Sequence, residues 1–253
     1  SPSIGHGNAL RTNGQHVGGV MHFFARVQPF FLKIVGDTNP ENPRRTARSP
    51  NRRHPGASWH LRGGTVPLLP DAEPYAHDGN KIGIIVSHGF TGQPKSVKPW
   101  AKHLAAAGFT VRAPRLPGHG TRWQEMNNTV WQDWYAEIER TYRELADKCD
   151  QIFVMGLSMG GSLALRLAEE KGKGIAGIVL VNPAVHSERP DRHLLPVLRL
   201  VVPAFPGIVN DIKKPDQDEG GYTKMPLKAA YSLTQLWSAI KTDITKVNQP
   251  ILV

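Results

Sequence analysis

The sequence predicts an α/β fold: a mostly parallel sheet with helices on both faces and a small cap insertion, with the C-terminal strands expected to be missing. Three observations carry this. Short continuous apolar runs, such as Lys81-Ile-Gly-Ile-Ile-Val-Ser87, read as strands buried on both faces. Helix-length amphipathic segments separate these runs, so successive strands pair in parallel. The segment Gly156-Leu-Ser-Met-Gly-Gly161 falls where one run ends and a helical stretch begins.

At 253 residues, one domain with room for an insertion is the natural expectation. The net charge of +10 is unevenly placed. Residues 1–65 hold nine Lys/Arg against Asp37 and Glu41, a net of +7, which leaves +3 for the rest. This first segment is rich in Gly, Asn, Pro, Arg and His. It cannot bury enough apolar surface to offset its ordering entropy. It reads as a largely disordered basic extension, or as residues not native to the protein. A nucleic-acid-binding arm is the alternative, disfavoured because aromatic residues are not interleaved with Arg44, Arg45, Arg52 and Arg53; no nucleic-acid partner is expected from the core. Its start is Gly/Asn/Ser-rich rather than basic then apolar, and Phe23 to Val35 is short and interrupted by charge. No transmembrane segment is read, and the expected location is cytoplasmic. The single cysteine, Cys149, excludes an internal disulfide framework.

The α/β core is expected over 66–182. After the strand at 81–87 comes a Gly-rich turn, His88-Gly-Phe-Thr-Gly92. A helix follows over 96–107, with Val97, Trp100 and Leu104 on one face and Gly108 as its stop. Phe109 to Ala113 is the next strand, and Pro114 to Thr121 a loop. A long helix is predicted from Thr129, with Gln132 completing a capping box. Val130, Trp134, Ile138, Tyr142 and Leu145 form its apolar stripe. Gln151 to Met155 is the strand before the Gly-rich turn, Ser162 to Lys171 its helix, and Gly174 to Asn182 another buried strand. Residues 183–248 break this rhythm with Pro190, Pro196, Pro203, Pro206 and Pro215 and two apolar stretches, Leu194 to Val202 and a helix opening at Pro226. They read as a cap over the carboxyl edge of the sheet. Residues 249–253 look like the start of the next core strand.

A strand, a Gly-x-Ser-x-Gly turn and a helix in that order form the nucleophile elbow of an α/β-hydrolase fold. The turn strains the serine backbone and lifts the hydroxyl above the sheet edge. Ser158 is therefore the candidate nucleophile, attacking an ester carbonyl. The charge that develops on the carbonyl oxygen needs prepositioned donors, and the backbone N–H groups of Met159 and Phe90 are the candidates for this oxyanion hole. The side chains of both are expected to line the acyl pocket. His88 precedes the oxyanion loop and is expected to hold it by hydrogen bonds rather than act as the base. The histidines show no ligand spacing, so neither a metal nor a cofactor is expected.

His88-Gly-Phe-Thr-Gly92, Leu116-Pro-Gly-His-Gly-Thr121, Gly156-Leu-Ser-Met-Gly-Gly161 and Tyr222-Thr-Lys-Met-Pro-Leu-Lys-Ala-Ala230 together resemble bacterial monoacylglycerol lipases and small carboxylesterases of the α/β-hydrolase superfamily. The resemblance runs from about residue 66 to Val253. It implies Ser158 as nucleophile, Phe90 and Met159 as oxyanion-hole residues, and a small acyl ester or monoacylglycerol as substrate. The family's triad order is Ser, Asp, His, with the Asp just after the strand that Ile251-Leu-Val253 begins. Neither that Asp nor that His is present, so the chain is expected to be C-terminally incomplete and weak or inactive as written. Amidase, lactonase or C–C hydrolase chemistry, and a non-catalytic binding scaffold, are the alternatives on this fold.

Overall fold

A six-stranded sheet in the order β1-β3-β2-β4-β5-β8 organises the chain. The structure is a computed structural model that describes residues 66–187, 193–207 and 220–253. The basic extension expected over 1–65 lies outside these residues. The strands are β1 (Tyr75–His77), β2 (Ile82–Ser87), β3 (Thr110–Ala113), β4 (Gln151–Leu157), β5 (Gly177–Val181) and β8 (Ile251–Leu252). All neighbouring pairs are parallel except β1 with β3, an antiparallel edge that the sequence reading missed. At three residues, with two of its side chains exposed, β1 carries almost no periodic signal.

The helices are α1 (Lys98–Ala106), α2 (Trp123–Met126), α3 (Trp131–Ala146), α4 (Met159–Lys171), α5 (Leu195–Val201) and α6 (Leu227–Asp243). α1 packs on β3 and β1, whereas α3, α4 and α6 pack on one another. The crossover through α1 and the one through α3 run in opposite directions along the sheet. Right-handed connections then put the two helices on opposite faces. Ile84, Ile85, Val86, Phe153, Val154 and Met155 are fully buried between the layers. Each such side chain contributes about 1.5–3 kcal/mol by leaving water.

The long helix starts later than its sequence suggests. Val130 is its N-cap and is exposed, so it is not part of the buried stripe, which is Trp134, Tyr135, Ile138, Thr141 and Leu145. The Asp133 carboxylate, not Gln132, accepts the Val130 N–H at 2.9 Å. The Thr129 hydroxyl accepts from the Trp134 indole instead, at 2.9 Å.

The segment 183–248 contains α5, a β6–β7 hairpin (Ala204–Pro206 with Lys224–Pro226) and α6, with 188–192 and 208–219 outside the described residues. α6 lies against α3, α4 and α5 and buries Leu227, Leu233, Leu236 and Ile240. By contrast, Leu194, Val197, Leu200 and Val201 along α5 stay largely exposed.

At the α4–α6 contact, Arg166 pairs with Glu170 at 2.7 Å, Asp243 at 2.9 Å and Glu169 at 3.2 Å. The Glu169 side chain is almost wholly buried and its Oε1 has no partner. Burial, opposed by Arg166, raises its pKa to about 7. The folded state therefore binds this proton more tightly than the unfolded chain does. The contribution of Glu169 to stability falls as pH rises from about 4.5 to 7. Glu169→Gln is expected to match the wild type near pH 4.5 and to be more stable at pH 8 by on the order of 2 kcal/mol. Thermal melts of both proteins across that range check this; a variant less stable at pH 8 contradicts it.

Candidate active site

β2 and β4 are neighbours, but the chain leaves β2 toward β3 on one side and leaves β4 toward β5 on the other. Their carboxyl ends thus flank the point where strand order reverses, where open α/β sheets form a crevice. The loop 88–92 follows β2, and Ser158 follows β4.

Ser158 sits between β4 and α4 with φ 53° and ψ −116°. A side chain in such a backbone costs about 1–3 kcal/mol, so the surroundings must impose it. They do so on both sides of the residue. The Ser158 N–H donates to the Val181 carbonyl at 2.9 Å, and its carbonyl accepts from Gly161 at 2.9 Å and Ala184 at 3.1 Å. The Ser162 hydroxyl also donates to the Ala184 carbonyl. The end of β5 and the residues after it therefore clamp the turn. A Cβ on Gly160 would strike the Ser87 carbonyl, so the first turn of α4 packs directly on the end of β2.

The loop after β2 faces this serine. A Cβ on Gly89 would lie 3.2 Å from the Ser158 Cβ and 3.7 Å from its Oγ. His88 fixes how the loop presents itself. Its ring is fully buried; its Nδ1 lies 3.0 Å from the Gly89 carbonyl, and its Nε2 is 3.3 Å from the Leu116 N–H. The Leu116 N–H can only donate, so Nε2 is the acceptor and Nδ1 carries the proton. Gly92 also donates to the Gly89 carbonyl, at 3.2 Å. Across a trans peptide the carbonyl and the next N–H point in opposite directions. Anchoring Gly89 C=O therefore aims the Phe90 N–H the other way. Among the described residues that N–H has no acceptor. The Met159 N–H belongs to the first turn of α4, whose donors have no partner within the helix and sit at the positive end of its dipole.

Burial lowers the His88 pKa to about 4, so the ring is neutral near pH 7. Both nitrogens are engaged by the backbone, which leaves it no capacity to act as a base. His119 is also buried, with Nδ1 3.0 Å from the Pro117 carbonyl, and burial holds its pKa well below the usual value. Its ring stands edge-on to His88 at 5.0 Å and to Trp134 at 5.6 Å. Trp134 in turn meets the Phe90 ring at 5.9 Å. Phe90 is half-buried. The Met159 side chain is fully buried in the core, so it packs there rather than lining a pocket as the sequence suggested. Among the described residues no group of three His, Cys, Asp or Glu could hold a metal ion, and no helix is long and apolar enough to cross a membrane.

The parallel sheet, the strained serine between strand and helix, and the Gly-rich loop opposite it define an α/β-hydrolase. The chain belongs to the family described as serine aminopeptidase, S33, whose pattern matches residues 79–253. It is 38% identical over 192 residues to the thermostable monoacylglycerol lipase of Bacillus sp. (strain H-257), covering 74% of each chain. It is 26% identical to a carboxylesterase of Bacillus subtilis (strain 168), over 72% of this chain and 73% of that one. Among solved structures, one from work on LipS and LipT, two metagenome-derived lipolytic enzymes, superposes with a TM-score of 0.71. That match has 38% identity and covers 73% of this chain and 76% of the other. The Paleococcus ferrophilus monoacylglycerol lipase shares the fold, with a TM-score of 0.57 at 20% identity over 70% of this chain and 74% of that one.

Proposed function

We propose that this chain is a serine carboxylester hydrolase acting on monoacylglycerols or short acyl esters through an acyl-enzyme on Ser158. The observation that carries this reading is the strained backbone of Ser158, held open to the Gly89–Phe90 loop at the sheet's reversal point. Strain of this kind persists only where the surroundings impose it, and it concentrates at reacting groups. The Ser158 Oγ attacks the ester carbonyl, and the tetrahedral oxyanion is received by the N–H groups of Phe90 and Met159. Each such donor is worth about 2.7–4 kcal/mol in the transition state. Collapse expels the alcohol and leaves the acyl group on Ser158, and water then releases the acid.

The insertion at 183–248 is read as the cap that bounds the acyl site. Its exposed apolar residues Leu194, Val197, Leu200 and Val201 favour a lipid-like substrate, as does the 38% identity to a monoacylglycerol lipase. His88 and His119 are the two histidines of the loops that frame the serine. The first is engaged at both nitrogens, and the second is buried beside Trp134. Activation of the Ser158 hydroxyl therefore calls for a base other than these two.

The family's description favours a second reading, release of an N-terminal amino acid by the same serine. Relative rates on 1-monoacylglycerol, p-nitrophenyl butyrate and an aminoacyl p-nitroanilide separate the two. The ester substrates are expected to turn over at least tenfold faster. Faster cleavage of the anilide contradicts the ester reading.

A further inference from the structure

The segment 220–222, just before β7, crosses both loops that frame the site. A Cβ on Gly220, which has φ +67°, would collide with the buried Gln93 side chain. Two residues on, the Tyr222 N–H donates to the Thr91 carbonyl at 3.2 Å, which is in the loop that carries Phe90. Thr91 is itself held at a left-handed φ of 59°, with its hydroxyl donating to the Phe90 carbonyl at 2.6 Å.

The Tyr222 side chain runs the other way. It is 6% exposed. Its hydroxyl donates to the Gly118 carbonyl at 2.7 Å and accepts the Thr121 N–H at 3.0 Å. Those two residues belong to the loop whose Leu116 N–H meets His88. One residue thus binds the oxyanion loop by its backbone and the loop supporting His88 by its phenol. Burial holds the phenol pKa above its ordinary value, so the hydroxyl remains available as a donor.

We infer that Tyr222 is a positioning residue for the oxyanion hole, fastening the segment 220–222 across the 88–92 and 114–121 loops so that the Phe90 N–H keeps its aim. The inference rests on the proposed role of Phe90. It predicts a particular kinetic signature, because the oxyanion forms only as the serine attacks. Loosening the clasp slows the bond-forming step and leaves initial binding alone.

The test compares wild type, Tyr222→Phe and Gly220→Ala in phosphonylation by an alkyl fluorophosphonate, resolved into kinact and KI. Amide hydrogen exchange is measured on the same proteins. Tyr222→Phe keeps the ring and removes only the hydroxyl. Its kinact is expected to fall about tenfold with KI unchanged, less than the hundredfold or more for deleting a donor outright. Exchange is expected to quicken over 88–92 and 118–121 and to stay unchanged in β4 and α4. Gly220→Ala, which displaces the same segment from Gln93, should show the same pattern. An unchanged kinact, a change carried by KI, or exchange that quickens throughout the chain overturns the inference. If Ser158 takes no label in the wild type, the proposed function fails and the exchange pattern decides alone. Faster exchange confined to the two loops then supports the clasp, and unchanged loops refute it.

Discussion

Ser158→Ala and Ser158→Gly are both expected to abolish phosphonylation, while their stabilities diverge. In the proposed assignment the Ser158 Oγ is the atom that bonds to phosphorus. On ester substrates, losing the proposed nucleophile is expected to cost about a million-fold in kcat. Stability separates the two variants because the backbone at this position is strained. Alanine keeps a Cβ at φ 53° and so keeps the strain; glycine adopts that conformation freely. Relief of the strain is opposed by the added freedom of glycine in the unfolded chain, about 0.5–1 kcal/mol. Ser158→Gly is expected to melt about 2–4 °C above Ser158→Ala, corresponding to about 1 kcal/mol at this size. Intact-protein mass spectrometry after labelling and thermal melts check both halves. Equal labelling of either variant contradicts the assignment of the nucleophile, and a less stable glycine variant contradicts the strain.

Replacing His88 is the second large effect. His88→Ala leaves the buried Leu116 N–H without an acceptor, removes a donor from the Gly89 carbonyl and opens a cavity beside His119. The stability loss is expected to be about 2–4 kcal/mol. The phosphonylation rate should fall by roughly a hundredfold, because the Gly89–Phe90 peptide loses one of its two anchors. His88→Asn divides these effects. Its side-chain N–H takes the position of Nδ1 and can still reach the Gly89 carbonyl, but it cannot reach Leu116. Labelling should recover more than stability does. A folded His88→Ala that labels at the wild-type rate shows that the loop does not depend on this ring. The ring must also be neutral to accept from Leu116. With the folded pKa lowered to about 4 and the unfolded value at 6.5, the stability contributed by His88 is present above pH 6.5 and is lost as pH falls toward 4. This slope opposes that of Glu169.

The sheet was legible in the sequence because its strands are buried on both faces. Runs such as Ile82 to Ser87 admit little else when helices separate them. The elbow was legible because close packing of β4, α4 and β2 leaves no room for side chains at Gly156 and Gly160. What escaped was structure set by contacts distant in the chain. β1 exists because β3 offers an edge. Val130 lost its place in the stripe because Asp133 caps the helix one residue later than Thr129 implied. The Met159 side chain went into the core, where it is fully buried, although its neighbour in the turn is the half-buried Ser158. Tyr222 stood in the sequence as one member of a cap segment. Its bonds reach about a hundred residues back, to Gly118 and Thr121, and no local pattern encodes them. The Gly220-Gly221 pair before it was the available signal, since two glycines beside a tyrosine suggest a backbone lying close against another loop.

The central claim is that Ser158 is the reacting group. The most direct measurement is peptide mapping of the folded wild-type chain after prolonged exposure to a fluorophosphonate. One adduct is predicted, on the oxygen of Ser158, absent when the protein is first denatured. An adduct on a different residue, or none on a chain shown to be folded, would contradict the account.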